Sequence, residues 1–228
     1  MKTIAVIGAL EEQIESIKEH IEIISAKNIV GLDFIMGKML GNNIVLVRAG
    51  VGKVNASICT QILIDMYAVD IVINVGIAEG ISGDVILDDI VISDDVCYFD
   101  FDTSFFGTPK GVIYRMDESF FKADPELIAL SLKAIEESGK AVHIGRIASG
   151  DKIITNLDEK NEIRNEFKAL CINMESGAIA HTCELNMVPF VVICLIYDKL
   201  SENEADIFSG NSINSLSDIL VKIIDMIE

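Results

Sequence analysis

Short apolar runs rich in β-branched residues alternate along the chain with longer segments in which apolar residues recur every three or four positions. The first pattern is typical of strands and the second of amphipathic helices, so their alternation predicts an α/β protein. Several runs are continuously apolar, as expected of strands that helices cover on both faces. The predicted strands are Thr3–Gly8, Asn43–Gly50, Asp70–Gly76, Asp88–Asp95, His143–Gly150 and Phe190–Asp198, with further strands expected at Ile21–Ala26 and Leu32–Met39.

The helical periodicity is accompanied by start signals at two places. Asp124 precedes Pro125 as a capping pair, and either Asn156 or Asp158 is suited to cap the helix that follows it. The segment Tyr98–Ala123 shows neither periodicity, which predicts a long loop or a pocket wall. No linker or repeat divides the chain, and a single domain over residues 1–228 is expected. The predicted helices are Leu10–His20, Lys53–Tyr67, Pro125–Ser138, Leu157–Phe167, Glu175–Leu185 and Ile213–Ile227.

Composition narrows the function classes. The chain carries 36 acidic against 18 basic residues, a formal charge of −18, and half of its residues are hydrophobic. This apolar content excludes a disordered chain, and the acidic excess argues against nucleic-acid and anionic membrane partners. Five scattered cysteines without a CxxC pair predict neither a disulfide framework nor a zinc site. No signal peptide and no apolar run of about 18 residues is found, so we expect a cytoplasmic protein.

Glycines end several of the predicted strands. Gly8, Gly50 and Gly76 each close an apolar run and are followed by a helical or polar start. Ligands of open α/β sheets bind at the carboxyl ends of strands, where glycine lets backbone N–H groups approach them. Tight turns alone would explain the same glycines. No GxGxxG and no GxxxxGK[ST] motif is present, which leaves dinucleotide and P-loop sites without support.

Two carboxylates stand at strand or helix ends. Asp198 ends a strand so apolar that it is expected at the centre of the sheet, where an acid meets a partner or has its pKa shifted. Glu175 lies where a short strand turns into a helix. The alternatives are a solvated strand-end acid for Asp198 and an ordinary capping or first-turn acid for Glu175.

Seven segments run in the order of one family. They are GALEEQI at Gly8–Ile14, AGVGKVNA at Ala49–Ala56, DIVINVGIAEGI at Asp70–Ile81, DDIVISDD at Asp88–Asp95, ASGDKII at Ala148–Ile154, NMESGAIAH at Asn173–His181 and VPFVVICLIYD at Val188–Asp198. The chain thereby resembles the 5′-methylthioadenosine/S-adenosylhomocysteine nucleosidases of the purine nucleoside phosphorylase and hydrolase superfamily. The resemblance implies a homodimer of α/β/α sandwich subunits with a mixed, mostly parallel sheet. It also implies hydrolysis of the N-glycosidic bond of an adenine nucleoside without cofactor or metal.

The resemblance assigns roles to residues near the reacting bond. Asp198 matches the acid that protonates the leaving adenine, and Glu175 matches the carboxylate that binds the ribose hydroxyls. Met174 is implied to contact the nucleoside with its apolar side chain. Ile154 corresponds to the residue whose backbone pairs with the adenine edge, and Ile153 stands where the family has a stacking aromatic residue.

Further residues are implied around the substrate. Phe208 matches the family's lid aromatic, and with Phe106 it is expected near the 5′ substituent. Val51 is expected to line that pocket, to which the family's partner subunit also contributes. Ala78 and Glu79, which follow the strand-end glycine, complete the substrate-binding set.

The chain also departs from the family pattern. Gln13 stands where the family has the carboxylate that takes a proton from the attacking water, Ile77 replaces a serine, and Cys194 replaces an arginine. An amide holds a water but cannot take its proton, and general-base catalysis is typically worth roughly 10²–10⁴-fold. Glu12 or Glu79 is an alternative base, although helical geometry disfavours Glu12 and a solvated loop position is the simpler reading of Glu79.

Three functions therefore remain open. A nucleosidase, slow or altered in specificity, is favoured because the matching acids are retained. A nucleoside-binding protein that has lost its water site would explain the substitutions together. A nucleoside phosphorylase would need cationic phosphate ligands, for which only Arg48 and Arg146 lie near strand ends.

Overall fold

A mixed sheet of ten strands forms the centre of the computed structural model, which describes residues 1–9, 11–197 and 210–227. The strongest strand predictions are confirmed, because each continuously apolar run lies in this sheet. In the first strand Ile4, Val6 and Ile7 are fully buried, as expected of a strand covered on both faces. The strands are β1 Thr3–Gly8, β2 Glu22–Ile29, β3 Leu32–Met39, β4 Asn42–Arg48, β5 Ile71–Gly80, β6 Ile90–Tyr98, β7 Phe121–Lys122, β8 Val142–Ser149, β9 Cys171–Asn173 and β10 Phe190–Tyr197.

One half of the sheet closes on itself. β5 pairs in parallel with β10, β10 pairs antiparallel with β6, and β6 and β8 continue in parallel to β9. The last of these, β9, pairs antiparallel with β5 and completes the ring. From β5, the strands β1 and β4 extend in parallel, and β3 and β2 follow antiparallel. The carboxyl ends of β1, β4, β5 and β10 consequently point to the same edge.

The helices pack in two groups around this sheet. α2 packs on α5 in one group, and α6 packs against both α1 and α3 in the other. This arrangement confirms the α/β/α sandwich with a central mixed sheet. The bounds are α1 Glu11–Lys18, α2 Lys53–Tyr67, α3 Pro125–Ser138, α4 Leu157–Phe167, α5 Ser176–Asn186 and α6 Gly210–Met226.

Side-chain caps fix the starts of α3 and α4. Asp124 accepts hydrogen bonds from the first-turn amides of α3, as predicted. At α4 the cap is Asn156, whose Oδ1 accepts from the Asp158 N–H at 2.7 Å. The alternative cap Asp158 is therefore wrong, because it lies inside the first turn. Each such cap stabilises a helix by about 1 kcal/mol.

The largest difference from the predicted elements is the length of β5. The predicted strand ends at Gly76, whereas β5 continues to Gly80 because β10 and β9 pair with its last residues. A loop after Gly76 is thus wrong, and Glu79 lies within a strand. Within the predicted irregular segment Tyr98–Ala123, the end of β6, a short 3₁₀ turn at Ser104–Phe106 and β7 are formed.

Candidate active site

A cavity of about 210 Å³ opens where β5 extends beyond its neighbour β1. The pairing of these strands ends at Ile7 and Asn74, and the following residues of β5 have no β1 partner. This part of β5, which has no β1 partner, becomes a wall of the cavity, at the sheet edge where α/β proteins bind ligands. The lining comprises Ala9, Val51, residues 74–77, Ile153, residues 172–175 and Tyr197.

The polar groups of the cavity are few and mostly engaged. Asn74 Nδ2 donates to the Ile7 carbonyl at 3.0 Å, which ties β5 to β1 beneath the cavity. Glu175 is the one acid among the described lining residues. An apolar cleft with a single carboxylate suits a flat, weakly polar group beside a hydroxyl-bearing one.

The Glu175 side chain faces away from its own helix. It occupies the position before α5 but makes no capping bond. Asn173 caps that helix instead, since its Oδ1 accepts from the Ser176 N–H at 3.2 Å and from the Ser176 hydroxyl at 2.6 Å. Glu175 Oε1 accepts from the Gly52 N–H at 3.1 Å. The alternative of Glu175 as an ordinary capping acid is therefore wrong.

Burial raises the pKa of Glu175, and the nearby charge of Asp151 acts in the same direction. Hydrogen bonds from the backbone of Gly52 and Met174 lower the pKa and partly offset the burial. A partly dehydrated carboxylate that is held by these backbone donors retains lone pairs for hydroxyl groups of a ligand.

Glu79 is engaged away from the cavity. Only 7% of Glu79 is exposed, and its Oε1 accepts from the ammonium of Lys160, which is 8% exposed and comes from α4. The expectation of a solvated loop carboxylate is wrong, and Glu79 is not among the cavity-lining residues. Tyr197 lies opposite Glu79 in the sheet, and its pKa is raised by burial and further by the charges of Glu79 and Glu175.

Three of the predicted substrate-binding residues line the cavity. Val51, Ile153 and Met174 reach it from the β4–α2 loop, the β8–α4 loop and the start of α5. These residues come from distant parts of the sequence, and together they supply apolar walls around Glu175.

Other predicted residues lie elsewhere. Ala78 is 1% exposed within β5, and Ile154 of the β8–α4 loop is fully buried in a small apolar cluster. Neither is among the cavity-lining residues, so a direct side-chain contact is not supported for Ala78. Phe106 is 63% exposed and its ring stacks on Tyr114 at 5.3 Å between centroids. Within this subunit Phe106 does not line the cavity.

The remaining predictions concern residues at the margins of the described chain. Asp198 and Phe208 lie outside the described residues, and so does the side chain of Gln13 in α1. Of the departures from the family pattern, Ile77 lines the cavity. Cys194 is fully buried behind it, where its Sγ accepts from Asn173 Nδ2 at 3.6 Å.

Sequence reasoning missed Tyr197 as a cavity residue. It is the last residue of β10 and directly precedes Asp198, so its position at a strand end was the available signal. Asn74 was also missed, because a single amide inside an apolar run carries no pattern of its own.

The described ranges contain neither a candidate metal site nor a helix that could span a membrane. Over residues 1–9, 11–197 and 210–227, no three His, Cys, Asp or Glu side chains converge to hold a metal ion. Among the helices of the same ranges, none combines the length and the apolar character needed to cross a bilayer. The five cysteines are buried and free.

Comparison with known proteins places the chain among its relatives. Residues 3–225 match the phosphorylase superfamily. A 5′-methylthioadenosine/S-adenosylhomocysteine nucleosidase of Staphylococcus haemolyticus is 34% identical over 229 residues, which cover 98% of this chain and 100% of the relative. The chain belongs to this nucleosidase family.

Solved structures of the superfamily agree with this membership. The nucleosidase from Neisseria meningitidis, solved with methylthio-immucillin-A, superposes with a TM-score of 0.91 and 31% identity over 100% of both chains. A futalosine hydrolase mutant of Helicobacter pylori gives a TM-score of 0.91 at 26% identity, again over 100% of both chains. The expected fold and family are thereby confirmed for this nucleosidase-family chain.

Proposed function

We propose that this chain hydrolyses the N-glycosidic bond of an adenine nucleoside, 5′-methylthioadenosine or S-adenosylhomocysteine, releasing adenine. The observation that carries the proposal is the Glu175 carboxylate, held by the Gly52 N–H at 3.1 Å beside an apolar cavity at the strand ends. A nucleoside needs both features, because its base is flat and its ribose presents hydroxyl groups.

Glu175 supplies the electrostatic part of the proposed reaction. Its ionised carboxylate accepts hydrogen bonds from the ribose hydroxyls. When the bond between ribose and base breaks, positive charge develops on the sugar ring, and a fixed negative charge in a poorly hydrated cavity stabilises it. Because only the transition state carries this charge, the contact lowers the barrier more than it strengthens substrate binding.

The leaving base needs a proton. Asp198 follows the cavity-lining Tyr197 directly in the chain and is the proposed donor to a ring nitrogen of adenine. Met174 and Ile153 supply apolar contact surface for the nucleoside, Ile153 without the ring stacking of an aromatic residue. The backbone of Ile154 is proposed to pair with the adenine edge.

Water activation is the step that this chain performs differently. Gln13 holds a water by hydrogen bonds but cannot take its proton, and Glu79 is bound to Lys160. Loss of the general base would slow hydrolysis by roughly 10²–10⁴-fold without weakening the other steps. The proposal is therefore a slow nucleosidase, and the alternative is a protein that binds the nucleoside without turnover.

The two candidate phosphate-binding arginines argue against a phosphorylase, because both are paired with acids. Arg48 is paired with Glu11 at 2.8 Å, and both Nε and Nη2 of Arg146 bind Asp95. Neither arginine is among the described residues that line the cavity, so neither would bind a phosphate there.

The proposed assembly is a homodimer. Phe105 is 93% exposed and contacts Phe106, which stacks on Tyr114, so an aromatic group stands open on the surface. Such a group suits a subunit contact. In the proposed dimer Phe106 and Phe208 lie near the 5′ substituent of a bound nucleoside.

The test is adenine release from methylthioadenosine, S-adenosylhomocysteine and adenosine, with and without phosphate. Wild type is expected to release adenine slowly and independently of phosphate, Gln13→Glu to be faster, and Glu175→Gln and Asp198→Asn to be strongly impaired. Silence of wild type with tight nucleoside binding, and activity gained by Gln13→Glu, would establish the binding role instead. Release that requires phosphate and yields ribose 1-phosphate would contradict hydrolysis.

A further inference from the structure

The amino terminus of α2 is capped by carboxylates from other parts of the chain. Gly52 precedes the helix and contributes no side-chain cap. The Gly52 N–H donates to Glu175 Oε1 at 3.1 Å, and the next amide, of Lys53, donates to Asp151 Oδ1 at 2.8 Å. Consecutive peptide groups thus bind the proposed ribose carboxylate and a second acid that does not line the cavity of Glu175.

Asp151 is itself held in place. Asp100 Oδ2 accepts from the Asp151 N–H at 2.9 Å and from the Lys53 ammonium at 2.7 Å. The same ammonium lies 4.0 Å from Asp151 Oδ2. Three charged side chains from α2, the segment after β6 and the segment after β8 therefore form a closed ring, which fixes the Asp151 carboxylate at the start of α2.

The peptide between these two acids has little freedom. Gly52 has a φ of +96°, a conformation that side-chain-bearing residues rarely adopt, and a Cβ there would lie 3.2 Å from Asp151 Oδ1. Asp151 thus packs against the glycine whose N–H binds Glu175. A shift of Asp151 would release the Lys53 amide and let the adjoining Gly52 peptide rotate.

We propose that Asp151 is a positioning residue for Glu175, which it orients through the first peptide groups of α2. This inference rests on the proposed function in one respect, the contact of Glu175 with the ribose. Asp151 does not line the cavity; it holds the Gly52 N–H so that the Glu175 carboxylate presents its free lone pairs to the 2′- and 3′-hydroxyls. Misplacement of a contact by about 1 Å costs roughly 10²-fold in rate, so loss of Asp151 is expected to cost between roughly 10- and 100-fold in kcat.

The first experiment compares Asp151→Ala with Asp151→Asn. Alanine removes the acceptor of the Lys53 amide, whereas asparagine keeps an oxygen in the same position. Adenine release from methylthioadenosine should fall about 10- to 100-fold in Asp151→Ala and be restored to within about threefold of wild type in Asp151→Asn. The matched control is Asp65→Ala, which removes an exposed acid near the other end of the same helix and should leave the rate unchanged.

The second experiment removes one of the two hydroxyls that Glu175 is proposed to bind. With the 2′-deoxy analogue of the substrate, Asp151→Ala should reduce the rate of adenine release by little more than the Asp65→Ala control does. In a Glu175→Ala background, Asp151→Ala should have no further effect. Three results would each overturn the proposal. They are an equal loss of rate on both substrates, additive losses of rate in the double variant, and failure of Asp151→Asn to restore the rate.

Failure of the proposed function would be seen separately. If wild type releases no adenine, the same variants are compared by calorimetric Kd for methylthioadenosine and its 2′-deoxy analogue. Wild type should prefer the ribonucleoside, and Asp151→Ala should lose that preference while Asp151→Asn keeps it. An unchanged preference in Asp151→Ala would overturn the positioning role.

Discussion

The buried ion pair between β5 and α4 makes a strong prediction about stability. Lys160 and Glu79 each expose only 10% of their side chains, and their charged groups are in contact. Lys160→Met keeps the apolar stem of the side chain but removes the ammonium. The Glu79 carboxylate then stays buried inside a strand without its counter-charge.

The expected loss of unfolding free energy in Lys160→Met follows from the burial of the pair. Removing one partner of a buried ion pair costs about 3–5 kcal/mol, because the remaining charge is neither hydrated nor paired. For a chain of 228 residues, each kcal/mol lowers the melting temperature by about 2–4 °C, so a decrease of about 6–20 °C is expected. Glu79→Gln with Lys160→Met leaves no charge, and the double variant should be more stable than Lys160→Met alone.

Urea unfolding followed by circular dichroism measures these differences. The matched control is Lys152→Met, which removes an ammonium from a pair with Glu159 whose side chains are 56% and 33% exposed. Because exposed pairs contribute about 0–1 kcal/mol, this variant should unfold near wild type.

The reasoning would be refuted if Lys160→Met destabilised the protein no more than Lys152→Met. It would also be refuted if the cost of the double variant equalled the sum of the single costs, since coupled charges cannot give additive losses. The same pairing predicts that Glu79→Gln retains adenine release, in contrast to Glu175→Gln. A loss as large as that of Glu175→Gln would mean that Glu79 reaches the substrate.

Three further predictions concern Gly52, Glu175 and Asn173, which lie in the cavity wall or are hydrogen-bonded to it. In Gly52→Ala the added Cβ meets a positive φ and lies 3.2 Å from Asp151. This variant should lose about 1 kcal/mol or more of unfolding free energy and bind the nucleoside more weakly. The control Gly83→Ala, which has open space around its Cβ, should show neither effect. Glu175→Gln should raise the melting temperature at neutral pH. Burial raises the folded-state pKa of Glu175, so the wild-type protein loses stability as the pH rises through that pKa. The difference in melting temperature should vanish in acid, where the Glu175 carboxyl is protonated. Asn173→Ala should cost about 1 kcal/mol by uncapping α5, and Asn173→Ser should restore most of it.

The fold followed from local patterns wherever one pattern decided the outcome. The continuous apolar run of β1 required burial on both faces, and Asp124 marked the start of α3 because it could cap only that helix. The end of β5 was predicted too early, since a glycine after an apolar run usually closes a strand. In this protein β9 and β10 supply hydrogen-bonding partners beyond Gly76, and pairing with distant segments is invisible to a local pattern.

The site was predictable only in part, for the same reason. The strand-end glycines located it, and Glu175 stood out as an acid at a turn into a helix. The links that hold Glu175 were not predictable, because Gly52 is separated from it by 123 residues and Lys53 from Asp151 by 98. Residue type alone does not tell which of 36 acids faces which amide.

The departures from the family pattern divide into structural and chemical ones. Lys160 neutralises Glu79 away from the cavity, so Glu79 adds a tertiary contact and does not serve as the alternative base. Gln13, in contrast, is proposed to stand in for a water-activating carboxylate, and the one acid among the described lining residues is Glu175. In the proposed mechanism, substrate binding and water activation are therefore carried by different residues. The evolution of a slow enzyme or of a nucleoside sensor would require a change in water activation alone. The rate gained by Gln13→Glu therefore distinguishes a retained mechanism from a lost one.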